Sequence, residues 1–409
     1  MKILHILAQL PCSTGSGVYF SNLIKELEPY KHDQRAVFAL QDHFTFEHLP
    51  VERQYPVRFK TEELPFPVPG MSDVMPYDST RYCAMSAETM ELWLTAFRRT
   101  LERAAADFQP DVLILHHLWI LTSLALEAFP EAGSIAVCHH TDLRQAMQNP
   151  KLRECHVTRL HQLDAILSLS DVHQDEIRRI HPCAGTKIVT TGGGFDSDIF
   201  FPAENRRSGS LVKILYAGKI DDSKGVFALI RAFLALRRQD SGLELSIVGT
   251  ASRENEDKLN KLINGDSGIQ LHPAMSQPEL AQTMREHDIF VMPSFFEGLG
   301  LIAVEALACG LRTVSTEIEG LVSLLGKKVI QSEAIEFVGL PALEYAAIPQ
   351  GTQLEQFISD LAQKLSLQIA RVRQGAPFPK SVYDDIARHS WAEIASRINS
   401  LIGNIKQIG

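Results

Sequence analysis

At 409 residues, 45% hydrophobic and 22% charged, the chain has the composition of a globular protein, and its length fits two domains. Its net charge of −9 argues against a nucleic-acid binder working through a basic face; the acidity is mostly N-terminal, residues 1–200 holding 18 Lys/Arg against 25 Asp/Glu. Six cysteines (Cys12, Cys83, Cys138, Cys155, Cys183, Cys309) at scattered spacings, no apolar run of 18 residues and no signal-peptide core lead to the expectation of a cytoplasmic chain with reduced thiols and no transmembrane segment.

In chain order, MKILHILAQL is an apolar strand whose turn, Ser13-Thr14-Gly15-Ser16-Gly17, feeds the helix VYFSNLIKEL. This strand, glycine loop and helix lack a full G-x-G-x-x-G, so the turn is either a phosphate-approach loop or a simple tight turn. A strand at Arg35 to Leu40 is followed by a segment of unusual length, about 41–105, whose LPFPVPGMSDVMPYDSTRYCAMSAETM is proline-studded and aromatic before a helix from Ala87 to Phe108. Such a segment is either a lid over a site or a loop packed on its domain. Strands at Asp111 to Leu115 and Ile135 to Cys138 run out into His116 and His117, and into His139, His140 and Asp142. Polar groups at the carboxyl ends of parallel strands face the crevice where doubly wound sheets bind ligands. Clustered imidazoles can hold a metal, but no H-E-x-x-H, H-x-H or D-x-D accompanies them, and a polar rim without a metal is expected.

Strands at Ala165 to Leu169 and Lys187 to Thr190 close the first series, and GGGFDSDIFFPAENRRSGS supplies an interdomain linker near residues 195–210. A second series follows at Lys213 to Ala217, Glu244 to Val248, Ile289 to Met292 and Thr313 to Thr316. Strict β/α alternation predicts parallel sheets covered by helices. After the first of these strands come the Gly218 turn, Lys219, Lys224 and Gly225, which opens an amphipathic helix. Two solvated lysines on a loop are the alternative to a phosphate-neutralising pair.

The stretch PSFFEGLGLIAVEALACG carries the most chemistry. Pro293 and Ser294 break a strand, Gly298 and Gly300 let a ligand approach, and a helix begins near Leu301. Its unpaired N–H groups and dipole suit a diphosphate. At about 1.5 Å rise per residue, Glu305 lies several ångströms along the flank, where a carboxylate can accept from both hydroxyls of a ribose. An ordinary surface helix with one capping and one solvated glutamate is the alternative.

On these residues the chain resembles glycosyltransferase family 4, retaining enzymes of GT-B fold with an E-x7-E motif, here Glu297 and Glu305. The resemblance implies two doubly wound Rossmann-like domains with a cleft between them: 1–200 on the acceptor side, 201–385 binding a nucleotide sugar, and a closing helix in 386–409 that returns to the N-terminal domain. It implies Glu297 facing the donor sugar's hydroxyls, amides of Gly298, Leu299, Gly300 and Leu301 holding sugar and phosphate, Glu305 on the ribose, and Lys219 and Lys224 neutralising the departing diphosphate. Gly15 and Gly17 match the loop that approaches the β-phosphate, and His139 matches a histidine beside the donor sugar. His116, His117, Asp142, Met71 and Tyr77 fall on the acceptor side. Lys219 replaces the family's arginine, losing a bidentate fork, and Gly193-Gly194-Phe195-Asp196 replaces Asn-Gly-Val-Asp.

The activity so implied is metal-independent transfer from a nucleoside-diphosphate sugar, with a UDP-sugar favoured and no other cofactor, to a carbohydrate or lipid-linked hydroxyl. No nucleic-acid partner is expected, and a basic membrane patch is not evident. A sugar-nucleotide epimerase of the same shape and a non-catalytic nucleotide-sugar binder are the other readings.

Overall fold

Apolar runs of four to six residues, separated by stretches too long for hairpins, force crossover connections and parallel pairing. A computed structural model describes residues 1–12, 14–181, 185–203, 211–340 and 349–405, and divides into two units.

The first unit is Met1–Gly193 with Trp391–Gly409. Its strands are β1 (Lys2–Leu7), β2 (Asp33–Leu40), β3 (Gln54–Arg58), a short pair β4 (Pro69–Gly70) and β5 (Thr80–Arg81), then β6 (Val112–His116), β7 (Gly133–Cys138), β8 (Ala165–Ser168) and β9 (Lys187–Thr190). The main sheet runs β3-β2-β1-β6-β7-β8-β9, all parallel, and its order reverses between β1 and β6. It is covered by α1 (Gly15–Leu27), α2 (Ala87–Asp107), α3 (Ile120–Ala128), α4 (Thr141–Gln148), α5 (Pro150–His156) and α6 (Asp171–Ile180).

The sequence gives no sign of β3, because Pro56 interrupts QYPVR; at the sheet edge the missing N–H is tolerated. Within residues 41–105, Gln54–Arg58 thus extends the sheet, while β4 and β5 pair separately. Leu64, Val68, Met71 and Tyr82 are buried in the same core as Trp93 and Phe97 of α2, so this part of the segment is structural packing.

The second unit is Gly194–Ser390. Strands β10 (Val212–Ala217), β11 (Leu243–Val248), β12 (Ile269–His272), β13 (Ile289–Met292), β14 (Arg312–Thr316) and β15 (Ile335–Val338) form one parallel sheet ordered β12-β11-β10-β13-β14-β15. This is the doubly wound order, with its switch point between β10 and β13. Edge strands β12 and β15 escape sequence reading because IQLH and IEFV are short and only partly buried. The helices are α7 (Val226–Arg237), α8 (Arg253–Ile263), α9 (Gln277–Arg285), α10 (Leu301–Ala308), α11 (Glu319–Ile330), α12 (Gly351–Arg373) and α13 (Lys380–Ala387).

The stretch expected to be a linker starts inside this unit. Phe195 and Phe200 are buried in its core, and Phe195 N–H donates to the His389 carbonyl at 3.0 Å. Burial of two phenylalanines overrides the glycine and proline content; residues 204–210 of that expectation lie outside the described residues.

Helix α14 (Trp391–Ile405) belongs to the first unit and packs along α1. Trp391 meets Tyr19 edge to face at 4.9 Å, and Arg397 donates to the Thr191 carbonyl at 3.0 Å. Residues 406–409 of the expected closing segment lie outside the described residues. No disulfide joins the described cysteines, Cys183 lying outside them, and no described helix is long and apolar enough to cross a membrane.

Trp391 is 6% exposed. Trp391→Ala is expected to lower unfolding free energy by about 3–5 kcal/mol, read from urea denaturation, with Trp391→Phe losing clearly less. An unchanged midpoint for the alanine variant would show that α14 adds nothing to the unit.

Candidate functional site

In the second unit, the loops after β10 and β13 meet at the switch point. Gly225 has φ 66°, and a Cβ there would lie 2.0 Å from the Pro293 carbonyl oxygen, so only glycine permits the approach. Phe295 N–H donates to the Ser223 carbonyl at 2.9 Å and locks the two loops together. Asp221 shapes the first loop. Its carboxylate accepts from Ser223 Oγ at 2.6 Å and Lys224 N–H at 3.1 Å and lies 3.1 Å from Lys219 Nζ. Burial raises the Asp221 carboxyl, but these partners outweigh it and hold the group below its ordinary value.

The two lysines are not equivalent. Lys224 is half-buried and pinned, its Nζ 2.7 Å from Glu297 Oε2 and 3.4 Å from the Phe296 carbonyl, whereas Lys219 is 71% exposed. Glu297 Oε1 accepts from Gly298 N–H at 3.2 Å, so this glutamate fixes both the ammonium and its own loop. Gly300, left-handed at φ 64°, precedes Leu301 with no side chain capping α10. That helix start keeps its donors for a ligand. The loop presses on the start of α11, where a Cβ on Gly320 would lie 2.1 Å from the Gly298 carbonyl oxygen. Leu299 is half-buried there.

Glu305 lies one turn into α10, half-buried, and its carboxyl has no hydrogen-bond or ion-pair partner among the described residues. Burial alone pushes it up to about 8. A desolvated, unpartnered carboxyl beside an uncapped helix start is arranged for hydroxyl donors that the protein does not provide.

In the first unit, the ends of β6 and β7 bring His116, His117 and His139 together. His116 Nδ1 and His139 Nε2 are 3.1 Å apart, and Tyr19 lies edge-on to both rings at 5.9 and 5.4 Å. His117, left-handed at φ 76°, tilts onto His139 at 4.8 Å, and neither of its ring nitrogens has a partner. Burial pushes His117 down to about 4 and His116 and His139 well below the ordinary value, so all three rings are neutral at pH 7. Only His139 keeps a partly open surface.

Several residues expected at an acceptor face instead hold the frame. Asp142 is fully buried and accepts from Leu118 N–H at 2.7 Å, Leu143 N–H at 3.1 Å and His139 N–H at 3.4 Å. It ties the β6 end to the β7 end, which leaves no oxygen directed at solvent. Met71 is a core side chain, with its carbonyl taken by Gln145 Nε2 at 3.2 Å. His116 and His117 are each 2% exposed, so they support His139 from beneath. Tyr77, half-buried, remains partly open.

The glycines of the first loop are also structural in part. A Cβ on Gly17 would lie 2.6 Å from Cys12 N, and its own N–H is taken by Thr14 Oγ1 at 3.0 Å, whereas Gly15 has open space around it. Ser13 of that turn lies outside the described residues. Sequence reading missed Asp221 and Gly320, and named Gly225 only as the residue opening a helix, without its approach to Pro293. An aspartate two residues before Ser223-Lys224 is a visible cap signal, but the two close backbone approaches have none.

A model for "Glycosyl transferases group 1" matches residues 212–336, and one for "Glycosyl transferase 4-like domain" matches residues 14–194. D-inositol 3-phosphate glycosyltransferase of Paenarthrobacter aurescens (strain TC1) is 39% identical over 147 residues, 33% of this chain and 36% of that enzyme. The match thus spans about a third of that curated relative's length. Sucrose-phosphate synthase from Thermosynechococcus elongatus superposes with TM-score 0.70 at 16% identity over 100% of both chains. Anabaena HepE, solved with UDP and glucose, gives TM-score 0.59 at 14% identity, covering 99% of this chain and 100% of that one. Both structures have the same fold as this chain.

The buried histidines generate a pH prediction. Between about pH 4 and the unfolded value near 6.5, the folded His117 ring binds fewer protons than in the unfolded chain, so its contribution is complete above 6.5 and is lost as pH falls; His116 and His139 act in the same direction. At pH 5 the loss is expected to be about 2 kcal/mol for His117, seen as a falling melting temperature from pH 7 to 5. His117→Gln should flatten this slope; a slope unchanged in that variant contradicts the assignment.

Proposed function

We propose that this chain, which belongs to the GT-B glycosyltransferases of the group 1 and 4-like type, transfers a glycosyl residue from a nucleoside-diphosphate sugar to a carbohydrate or lipid-linked hydroxyl with retention of configuration. The observation that carries this reading is the pinned Lys224–Glu297 pair beside the uncapped start of α10, with the unpartnered Glu305 one turn on. In this reading the α10 start and Lys224 hold the diphosphate, Glu305 takes the ribose hydroxyls, and Glu297 and the Gly298 loop meet the sugar. Lys219, exposed and tied to Asp221, adds a second, looser cation. His139 offers a neutral imidazole to a hydroxyl group. A UDP-sugar is the first donor to test, since HepE was solved with UDP and glucose.

Charge appearing on the leaving diphosphate is offset by Lys224 and the helix dipole, so no metal ion is assigned to the transfer. Glu297 is engaged at both oxygens, by Lys224 and by Gly298 N–H, which supports an orienting role over a nucleophilic one. Retention then proceeds by front-face attack, with the departing phosphate accepting the acceptor's proton.

Lys224→Ala is expected to lower kcat by about 100-fold or more with a smaller change in donor affinity, because leaving-group charge peaks in the transition state. A rise confined to KM would reduce Lys224 to a binding group. Initial rates should change by less than about twofold on adding Mg²⁺ or Mn²⁺, as expected when fixed protein cations replace the metal.

The raised Glu305 value yields a separate test. Ribose hydroxyls favour the ionised carboxylate, so binding of UDP near pH 7 is expected to release close to one proton, measured by calorimetry in buffers of different ionisation enthalpy. Glu305→Gln should abolish the release, and Glu305→Ala should weaken UDP by at least about tenfold. Unchanged affinity in the alanine variant removes Glu305 from the site.

A further inference from the structure

We propose that His140, His173 and Glu176, all in the first unit, form a binding site for a divalent transition cation of the zinc class. His140 lies in the turn from β7 to α4, while His173 and Glu176 are three residues apart on α6 and so project from one face of it. One ligand atom from each residue lies within 4.8 Å of the others, and His140 Nε2 is 3.3 Å from Glu176 Oε2. Around a tetrahedral ion with bonds of about 2.0–2.1 Å, ligand atoms sit about 3.4 Å apart. One pair already has that spacing, and ring rotation closes the remainder.

An ordinary ion pair between His140 and Glu176 accounts for only part of this arrangement. The His140 and His173 rings stack at 4.4 Å with planes 11° apart, and His173 Nδ1 is buried without a partner. A buried imidazole nitrogen left unsatisfied is costly unless something else occupies it. Arg179 Nη2 lies 3.7 Å from Glu176 Oε1, whereas Oε2 is the oxygen near His140. His140 is held at φ 66°, a conformation unfavourable for any residue but glycine and of the kind retained where geometry serves a ligand. Asp142, two residues on, fixes the turn by accepting from three backbone N–H groups.

The donor set decides the class of ion. Two imidazoles and one carboxylate suit Zn²⁺, Co²⁺ or Ni²⁺, whereas Mg²⁺ and Ca²⁺ require more oxygen ligands than are present. Three protein ligands leave a fourth position for water. None of the three residues belongs to the donor-binding set proposed above, so the cation site stands independently of that reading. Bound metal would staple the β7–α4 turn to α6.

The test uses the untagged full chain, freed of metal and titrated with Zn²⁺ by calorimetry, then with Co²⁺ by visible absorption. One equivalent is expected, with d–d bands of a four-coordinate nitrogen and oxygen site and a rise in melting temperature. His140→Ala and His173→Ala should each weaken binding at least about 100-fold and Glu176→Gln about tenfold or more, whereas the control His161→Ala leaves it unchanged. Metal-free melting curves of the variants identify any that fail to fold, and His173→Gln then replaces the alanine. Absence of saturable Zn²⁺ binding, or one equivalent retained in the His140→Ala/His173→Ala double variant, overturns the proposal.

Discussion

The second unit depends on a contact between two stretches of backbone. Where Gly225 passes Pro293, there is no room for a Cβ, and this closeness lets Ser223 accept from Phe295 and brings Lys224 within 2.7 Å of Glu297. Because the two loops follow the strands flanking the switch point, the sheet order itself puts a cation, an anion and a helix start at one place. The ion pair is half-buried, so its value lies more in fixing geometry than in net stability.

The two units handle charge in opposite ways. In the second, Lys224 and Lys219 each stand beside a carboxylate, Glu297 and Asp221, and remain within reach of water. In the first, His116, His117 and His139 are packed on Tyr19 and on one another at strand ends, and desolvation keeps them neutral. The lysines present cations, whereas the histidines present uncharged hydrogen-bonding groups. Asp142 permits the histidine arrangement by satisfying three backbone N–H groups at the junction of β6 and β7.

Glu305 is a carboxyl that the fold desolvates without giving it a partner among the described residues. A carboxyl whose folded value is raised to about 8 binds more protons folded than unfolded, so this side chain destabilises the chain increasingly as pH rises from about 4.5 to 8. Glutamine would relieve that cost. Proteins keep such groups where a ligand supplies the missing partners.

The sequence by itself determined what is local. Period and apolar runs located β9 and β13 at their observed bounds: β13 buries four consecutive apolar side chains, whereas β9, at the sheet edge and with no fully buried side chain, is marked only by its β-branched residues. The E-x7-E spacing and glycines likewise indicated the start of α10, since helix rise and backbone donors follow from chain order alone. Tertiary structure decided the rest. Edge strands β3, β12 and β15 are half-exposed and lack a full apolar pattern; Met71, expected in a lid, and Asp142, expected to face a crevice, are both buried by packing; Phe195 and Phe200 turn an expected linker into core. The stack of His140 on His173 joins residues 33 positions apart, and Gly225 owes its necessity to Pro293, 68 positions away. Such contacts depend on which strands neighbour one another in the sheet, a property of the whole chain's packing that no local window of sequence contains.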